Sequence, residues 1–331
     1  MTVRERFLSV LNFQKPDDRL PMIEWAHWWD KTHHRWQKEG LPADLTGEDL
    51  FDYFALDRLE CIRICTLDKG CPHPAYHGAP IISDEESYLA IRPYLFTDNL
   101  IKNAVNQARE LKQKHENGDI AIRIWVDGFF WFPRTLFGIE NHLFAFYDEP
   151  DLMHRMNQDL TDFNLRAMDE ILKVITPDMF GIAEDMSYNN GPMLSKDMYD
   201  EFVAPYYAKC IPLMKSKGIK VLVDTDGDVS PMIPWLVASE VDGIYPLERQ
   251  ANVDVVQIRK DYPNLILLGA YDKMVMSKDE AAMRAEFERL LPVMKTGGFI
   301  PSVDHQTPPE VSLENYRIYR KLYEEYCSNA N

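Results

Sequence analysis

Short apolar runs alternate with longer amphipathic stretches along this chain. The clearest runs are IAIRIWVDG (120–128), MFGIAED (179–185), IKVLVDTDG (219–227), VDGIYPLE (241–248), NLILLGAYD (264–272) and GGFIPSVDH (297–305). Each is too short for a helix and is rich in β-formers, so each predicts a strand. The stretches between them, such as SKDEAAMRAEFERLLPVMKTG, carry apolar positions at helical spacing. Strands that are apolar almost throughout, alternating with helices, imply a parallel sheet covered on both faces. Two earlier runs, RLPMIEW (19–25) and ECIRICT (60–66), bring the strand count to eight. The predicted fold is therefore α/β, a (β/α)8 TIM barrel spanning 1–331 as one domain. MTVRERFLSVLNFQKPDD reads as an N-terminal helical extension. Residues 67–97, with the β-like run SYLAIRPY, read as a small inserted hairpin.

The strand ends change the picture from fold to chemistry. Glu24, Asp127, Glu184 with Asp185, Asp224 with Asp226, Glu248, Asp272, and Asp304 with His305 all fall at C-terminal tips. In a barrel those tips share one mouth, where active sites sit. Loops after strands are polar in any case, yet acid at nearly every tip crowds like charges that must be protonated, paired or neutralised by a cation. Asp224 and Asp226, two apart at a strand end, point to one side. With Glu184 and His305 they make a donor set suited to zinc or another divalent ion. The other reading of Asp226-Gly227-Asp228 is a turn that uses Asp and Gly for their backbone preferences.

Two aromatic stretches are further candidates. EWAHWWDKTHHRW (24–36) holds four tryptophans and three histidines. Either it is a helix packing Trp28 and Trp29 into the core, or Trp25, Trp28 and Trp29 wall a flat substrate with His27 at its polar end. In DGFFWFPRTLFGIENHLFAFYDEP (127–150), Phe129, Phe130 and Trp131 are expected to contribute to the mouth, and Arg134 serves either an anionic group or a salt bridge. No glycine-rich phosphate loop, G-x-S-x-G elbow or Cys/His nucleophile pattern occurs.

Composition narrows the partners. The formal net charge is −17, which repels nucleic acid and anionic membranes. No run of roughly 18 apolar residues occurs. The five cysteines, Cys61, Cys65, Cys71, Cys210 and Cys327, are few and odd in number, which points to a reducing, cytoplasmic setting. The first three cluster, but at no metal-knuckle spacing.

The stretches RERFLSVLNFQKPDDRLP, GIAEDMSYNNGPMLSKDMYDEFVAPYYAKCI, KVLVDTDGDVSPMIPWL and DHQTPPEVSLENYR resemble the uroporphyrinogen decarboxylase superfamily over nearly the whole chain. True decarboxylases of that superfamily carry an arginine-rich loop like RQAGR after the first strand. Here EWAHWWDKTHH stands in that place, which disfavours a tetrapyrrole with eight carboxylates. The resemblance therefore falls to the corrinoid-dependent methyltransferase branch. Its thiol-methylating members bind zinc through H-x-C-G and a later cysteine before P-x-T-P-x-E-N. Laid on that pattern, Asp224 takes the histidine position, Asp226 the first cysteine and His305 the later cysteine, while Glu184 falls on an acid that completes the shell. Harder ligands imply a more Lewis-acidic metal, suited to polarising an ether oxygen.

The resemblance thus implies the methyltransferase component of an O-demethylase. A methoxylated, aromatic substrate would give its methyl group to the cobalt of a separate corrinoid (cobalamin) protein, with His27 or Asp185 handling protons. A homodimer is also implied. The alternatives are another methyl donor (methanol, a methylamine or a thiol), a decarboxylase in the same fold, or a binding barrel without turnover.

Overall fold

The computed structural model describes residues 1–45 and 47–330. Seven parallel strands form one sheet in chain order: β1 (Leu59–Ile64), β2 (Ala121–Asp127), β3 (Met179–Ala183), β6 (Lys220–Asp224), β7 (Gly243–Tyr245), β8 (Ile266–Tyr271) and β9 (Phe299–Val303). β4 (Ser187–Tyr188) and β5 (Gly191–Pro192) make a separate two-stranded ribbon beyond the tip of β3. Helices connect successive strands of the sheet, as the alternation of apolar runs and amphipathic stretches predicts. The last helix, Leu313–Asn329, buries Tyr316, Tyr319 and Tyr323 against the core. The predicted six later strands all appear, shortened to their most apolar residues.

The predicted first strand does not join the ladder, so the described residues give a seven-stranded parallel sheet where eight strands were expected. Its backbone donors have other partners. Leu20 N–H donates to the Cys327 carbonyl, Met22 N–H to the Asp57 carboxylate and Ile23 N–H to the Tyr323 hydroxyl. Pro21 has no N–H to give. Side chains tie the segment to β9 instead: Ser302 donates to the Ile23 carbonyl and the Trp25 indole to the Val303 carbonyl.

The predicted hairpin at 67–97 also takes a different form. SYLAI lies in a helix, Glu85–Ile91, because Asp84 and Ser87 close a capping box ahead of it and Tyr88 and Ile91 share a buried face. Only the bridge between Leu67 and Leu95 remains of strand pairing there. The N-terminal helix Val3–Leu11 forms as expected, with Thr2 and Glu5 as its capping box. It sits at the end of the sheet away from the tips, where Arg4 pairs with Asp178, just before β3, at 2.8 Å. No described helix is long and apolar enough to cross a membrane.

Strand alternation sets the site. Along β2, Ile122, Ile124 and Val126 face one way, and Arg123, Trp125 and Asp127 the other. Cys61 and Arg63 of β1 stand beside Arg123 and Trp125 in register. On β3, Gly181 leaves space for a neighbour: a Cβ there would lie 2.6 Å from the Tyr245 hydroxyl of β7.

Candidate active site

A cavity of about 430 Å³ opens among the strand tips. Its walls include Trp25, Trp125 and Trp131, and Asp185, Asp224, Asp226 and His305 reach it. Asp226 Oδ2 stands 3.6 Å from His305 Nε2, and the Trp25 ring meets His305 edge-on at 5.8 Å. Residues 224, 226 and 305, from two strands distant in sequence, thus line one cavity.

The tip acids differ in how they are held. Glu24 accepts hydrogen bonds from Tyr316 at 2.9 Å and Ser302 at 3.4 Å, and burial pushes its carboxyl up to about 8. Asp127 accepts from the Thr66 hydroxyl at 2.6 Å. Glu248 takes the Gly227 N–H and the Lys273 ammonium. Asp272 takes the Met274 N–H and the Gln250 amide. Asp304, fully buried, takes the Arg249 and Lys273 N–H groups and the Gln250 amide, and burial raises it to about 6. Asp185, at φ 47°, is held by Arg134 at 2.7 Å. These acids organise the loops around the mouth.

Glu184 is the most completely satisfied. Oε1 accepts the Phe129 N–H at 2.9 Å and the Tyr207 hydroxyl at 2.8 Å; Oε2 accepts the Phe130 N–H at 2.7 Å and the Trp131 N–H at 3.4 Å. The carboxylate fits because residue 128 is glycine: a Cβ there would lie 2.1 Å from Glu184 Cδ. Burial raises Glu184 to about 7 against the opposing pull of those N–H groups.

Asp224 and Asp226 stand apart from this pattern. Among the described residues, neither side chain has a hydrogen bond, and the 3.6 Å approach to His305 is the one ion pair of Asp226. Burial and then the charge of Asp226 push Asp224 well above the carboxylate range. Burial, then Glu248 and Asp185, push Asp226 up to about 7. His305 is shifted down, first by burial and then by Lys273, which favours the neutral imidazole that binds metals. Asp226 beside a neutral imidazole, with Asp224 lining the same cavity, supplies donors of the kind a divalent cation takes. Among the described residues, no three His, Cys, Asp or Glu side chains are gathered closely enough to hold an ion as they stand. The cysteines are all free, with Cys65 exposed, Cys61 half-buried and Cys71 buried.

The aromatic expectations divide. Trp25 and Trp131 line the cavity, and Arg134 lies over the Trp131 ring at 5.1 Å. Trp28 packs among Trp36, Phe51, Phe54 and Tyr316 in the core, and Trp29 is exposed beside the start of the helix Asp30–Lys38. Phe129 stacks on Tyr206, and Phe130 packs on His142, away from the mouth. Both side chains are buried because Glu184 fixes their backbone N–H groups inward. His27 is exposed at the cavity rim, 3.7 Å from Glu48. Arg63, Arg123 and Trp125 line the cavity without having been anticipated. For Arg123 and Trp125 the signal was the alternation inside IAIRIWVDG, where Arg, Trp and Asp recur at every second position; Arg63 interrupts the apolar run ECIRICT in the same way.

A parallel sheet of seven strands joined by helices, with a cavity at its tips, defines an α/β scaffold. The family model for uroporphyrinogen decarboxylase (URO-D) matches residues 132–326, more than half of the chain, and the chain belongs to that family. No curated protein sequence matches it. Among solved structures, a methyltransferase from Methanosarcina mazei superposes with a TM-score of 0.64 over 98% of this chain and 99% of that one, at 14% identity. That likeness is one of fold. A B12-independent methionine synthase from Shewanella sp. W3-18-1 aligns over 68% of this chain and 65% of its own, at 11% identity and a TM-score of 0.42, too loosely to bear on function.

Proposed function

We propose that this protein is a methyltransferase that moves a methyl group from a methoxylated aromatic substrate to the cobalt of a corrinoid protein. The observation that carries the reading is the pair Asp224 and Asp226. Among the described residues they alone of the nine strand-tip carboxylates have no hydrogen-bonding partner; both line an aromatic-walled cavity, and Asp226 lies 3.6 Å from His305. Buried polar groups left without partners cost stability and point to a ligand or a reaction that uses them.

We assign a zinc site to Asp224, Asp226 and His305. Glu184 is omitted from it, because both of its oxygens are already engaged. When bound, the metal would supply a Lewis acid for an ether oxygen. The chain's own residues do the rest. Trp25 and Trp131 flank the ring of the substrate and exclude water from the methyl group. Arg134 fixes Asp185 at the wall. His27, with its access to solvent, carries the proton that the departing phenoxide needs. A corrinoid protein docking over the tips would present its cobalt to the open side.

The test is methyl transfer itself. Purified protein is mixed with a reduced corrinoid protein and a panel of methoxyarenes, and methylation of cobalt is followed by absorbance. Transfer from at least one methoxyarene is expected. Transfer from methanol, a methylamine or a thiol alone would replace the substrate assignment. Membership of the decarboxylase family supports a second reading, decarboxylation of an aromatic acid, which CO2 release from such acids would reveal.

A further inference from the structure

Arg123 is 4% exposed, and its Nε and Nη1 have no hydrogen-bonding partner. A guanidinium buried in this way costs several kcal/mol unless something pairs with it. No carboxylate among the described residues lies within ion-pair distance, although the charge of Asp224, in the same cavity, acts on it. Glu60, its neighbour in a smaller adjoining cavity, is paired with Arg58 at 2.8 Å, and Glu24 is bonded to Tyr316. Arg123 instead faces the main cavity, lying 5.2 Å from the Trp125 ring and 6.0 Å from the Trp25 ring. Arg63 lies over the same Trp125 ring at 4.8 Å, with only a loose 3.9 Å approach to Asp127. Among the described residues, two more buried donors, the Tyr245 hydroxyl near Arg123 and the Trp125 indole N–H, have no well-formed hydrogen bond. The Tyr245 hydroxyl is the group for which Gly181 leaves room.

Register places this cluster in depth. Across the sheet, Arg123 is level with Met179 and Lys220, whereas Asp127 is level with Ala183 and Asp224. The backbone of Arg123 is thus four residues deeper than the tips, about 13 Å along the strand. Arg123, buried, and Arg63, with its side chain 52% exposed, thus give one side of the cavity a cationic, donor-rich lining, while Asp224 and Asp226 give the tips an acidic one.

We propose that Arg123, supported by Arg63 and the Tyr245 hydroxyl, binds a carboxylate carried on the aromatic ring of the substrate. The substrate is then an aromatic carboxylic acid, held acid-end down. This rests on the methyl-transfer reading for what happens at the mouth, where the ring's other substituent meets Asp226 and His305. Anion binding at Arg123 stands on its own observations. A planar guanidinium suits a planar carboxylate through two parallel N–H bonds.

The test compares benzoate, 3-methoxybenzoate and methoxybenzene by titration calorimetry against the wild type, Arg123→Met, Arg63→Gln and Tyr245→Phe. Both carboxylates are expected to bind the wild type, and Arg123→Met to weaken both at least tenfold with methoxybenzene unchanged. Arg63→Gln and Tyr245→Phe should weaken the carboxylates by smaller factors. Equal affinity of benzoate for the wild type and Arg123→Met would overturn the proposal. If Arg123→Met does not fold, benzoate binding unmoved by both Arg63→Gln and Tyr245→Phe overturns it equally. Benzoate has no methyl group, so the two readings fail separately. Arg123-dependent benzoate binding without methyl transfer from 3-methoxybenzoate removes the transfer reading alone. Transfer from methoxybenzene as fast as from 3-methoxybenzoate removes the carboxylate site alone.

Discussion

The tips of β3 and β6 are neighbours, with Ala183 and Asp224 in register, and each is followed by a carboxylate raised to about 7 by burial. Yet Glu184 and Asp226 are opposites. Glu184 has both oxygens filled by three backbone N–H groups and a tyrosine, whereas Asp226 has a histidine at 3.6 Å and no hydrogen bond. A shifted acidity does not distinguish a scaffold residue from a reactive one. What distinguishes them is whether the carboxylate has spent its lone pairs. Glu184 belongs to the frame that turns the chain after β2, and Asp226 is available.

Breaking the frame should cost the most. Glu184→Ala strands the N–H groups of Phe129 and Phe130 and the Tyr207 hydroxyl in a dry interior. A loss of about 3–5 kcal/mol is expected, read as a melting temperature lower by roughly 6–15 °C. Asp226→Ala should do the reverse: little loss of fold, but methyl transfer reduced about 100-fold or more. If Asp226→Ala unfolds the protein while Glu184→Ala does not, the comparison is inverted and wrong.

A smaller effect follows from pH in chelator-treated protein. Asp226 has a folded pKa of about 7, above the ordinary value of about 4 for an unfolded aspartate. The folded state therefore holds its proton more tightly. The stability this gives is fully present below about pH 4 and is lost as pH rises through about 7. Asp226→Asn should melt about 2 °C higher than wild type at pH 8 and equal to it at pH 4. The figure is kept small because the side chain is 38% exposed and water screens it. A melting curve for Asp226→Asn that tracks the wild type at both pH values would show that Asp226 is not held under electrostatic stress. The smallest change is expected at Trp29, which is exposed and away from the cavity: Trp29→Ala should alter substrate affinity less than about twofold, against about tenfold for Trp25→Ala.

Much of this was legible in the chain, for specific reasons. The six later strands could be read because each is apolar almost throughout, as a sheet covered on both faces favours. RLPMIEW has the same composition but gives its N–H groups to Asp57, Tyr323 and the Cys327 carbonyl, partners that lie far along the chain. Asp224, Asp226 and His305 were found together because a motif linked them. Glu184 was grouped with them because its four partners, two of them backbone groups preceding a short helix, leave no trace in residue identity. Arg63, Arg123 and Trp125 stand in plain view in two apolar strands, but apolar character alone does not show which polar residues of neighbouring strands share a face.

The most direct test of the central claim is the zinc content of the wild type, Asp226→Ala, His305→Ala and Glu184→Gln, each purified without chelator and measured by atomic emission. The account predicts about one equivalent per chain in the wild type and in folded Glu184→Gln, and close to none in Asp226→Ala and His305→Ala. Zinc retained in both Asp226→Ala and His305→Ala, or lost in folded Glu184→Gln, would contradict it.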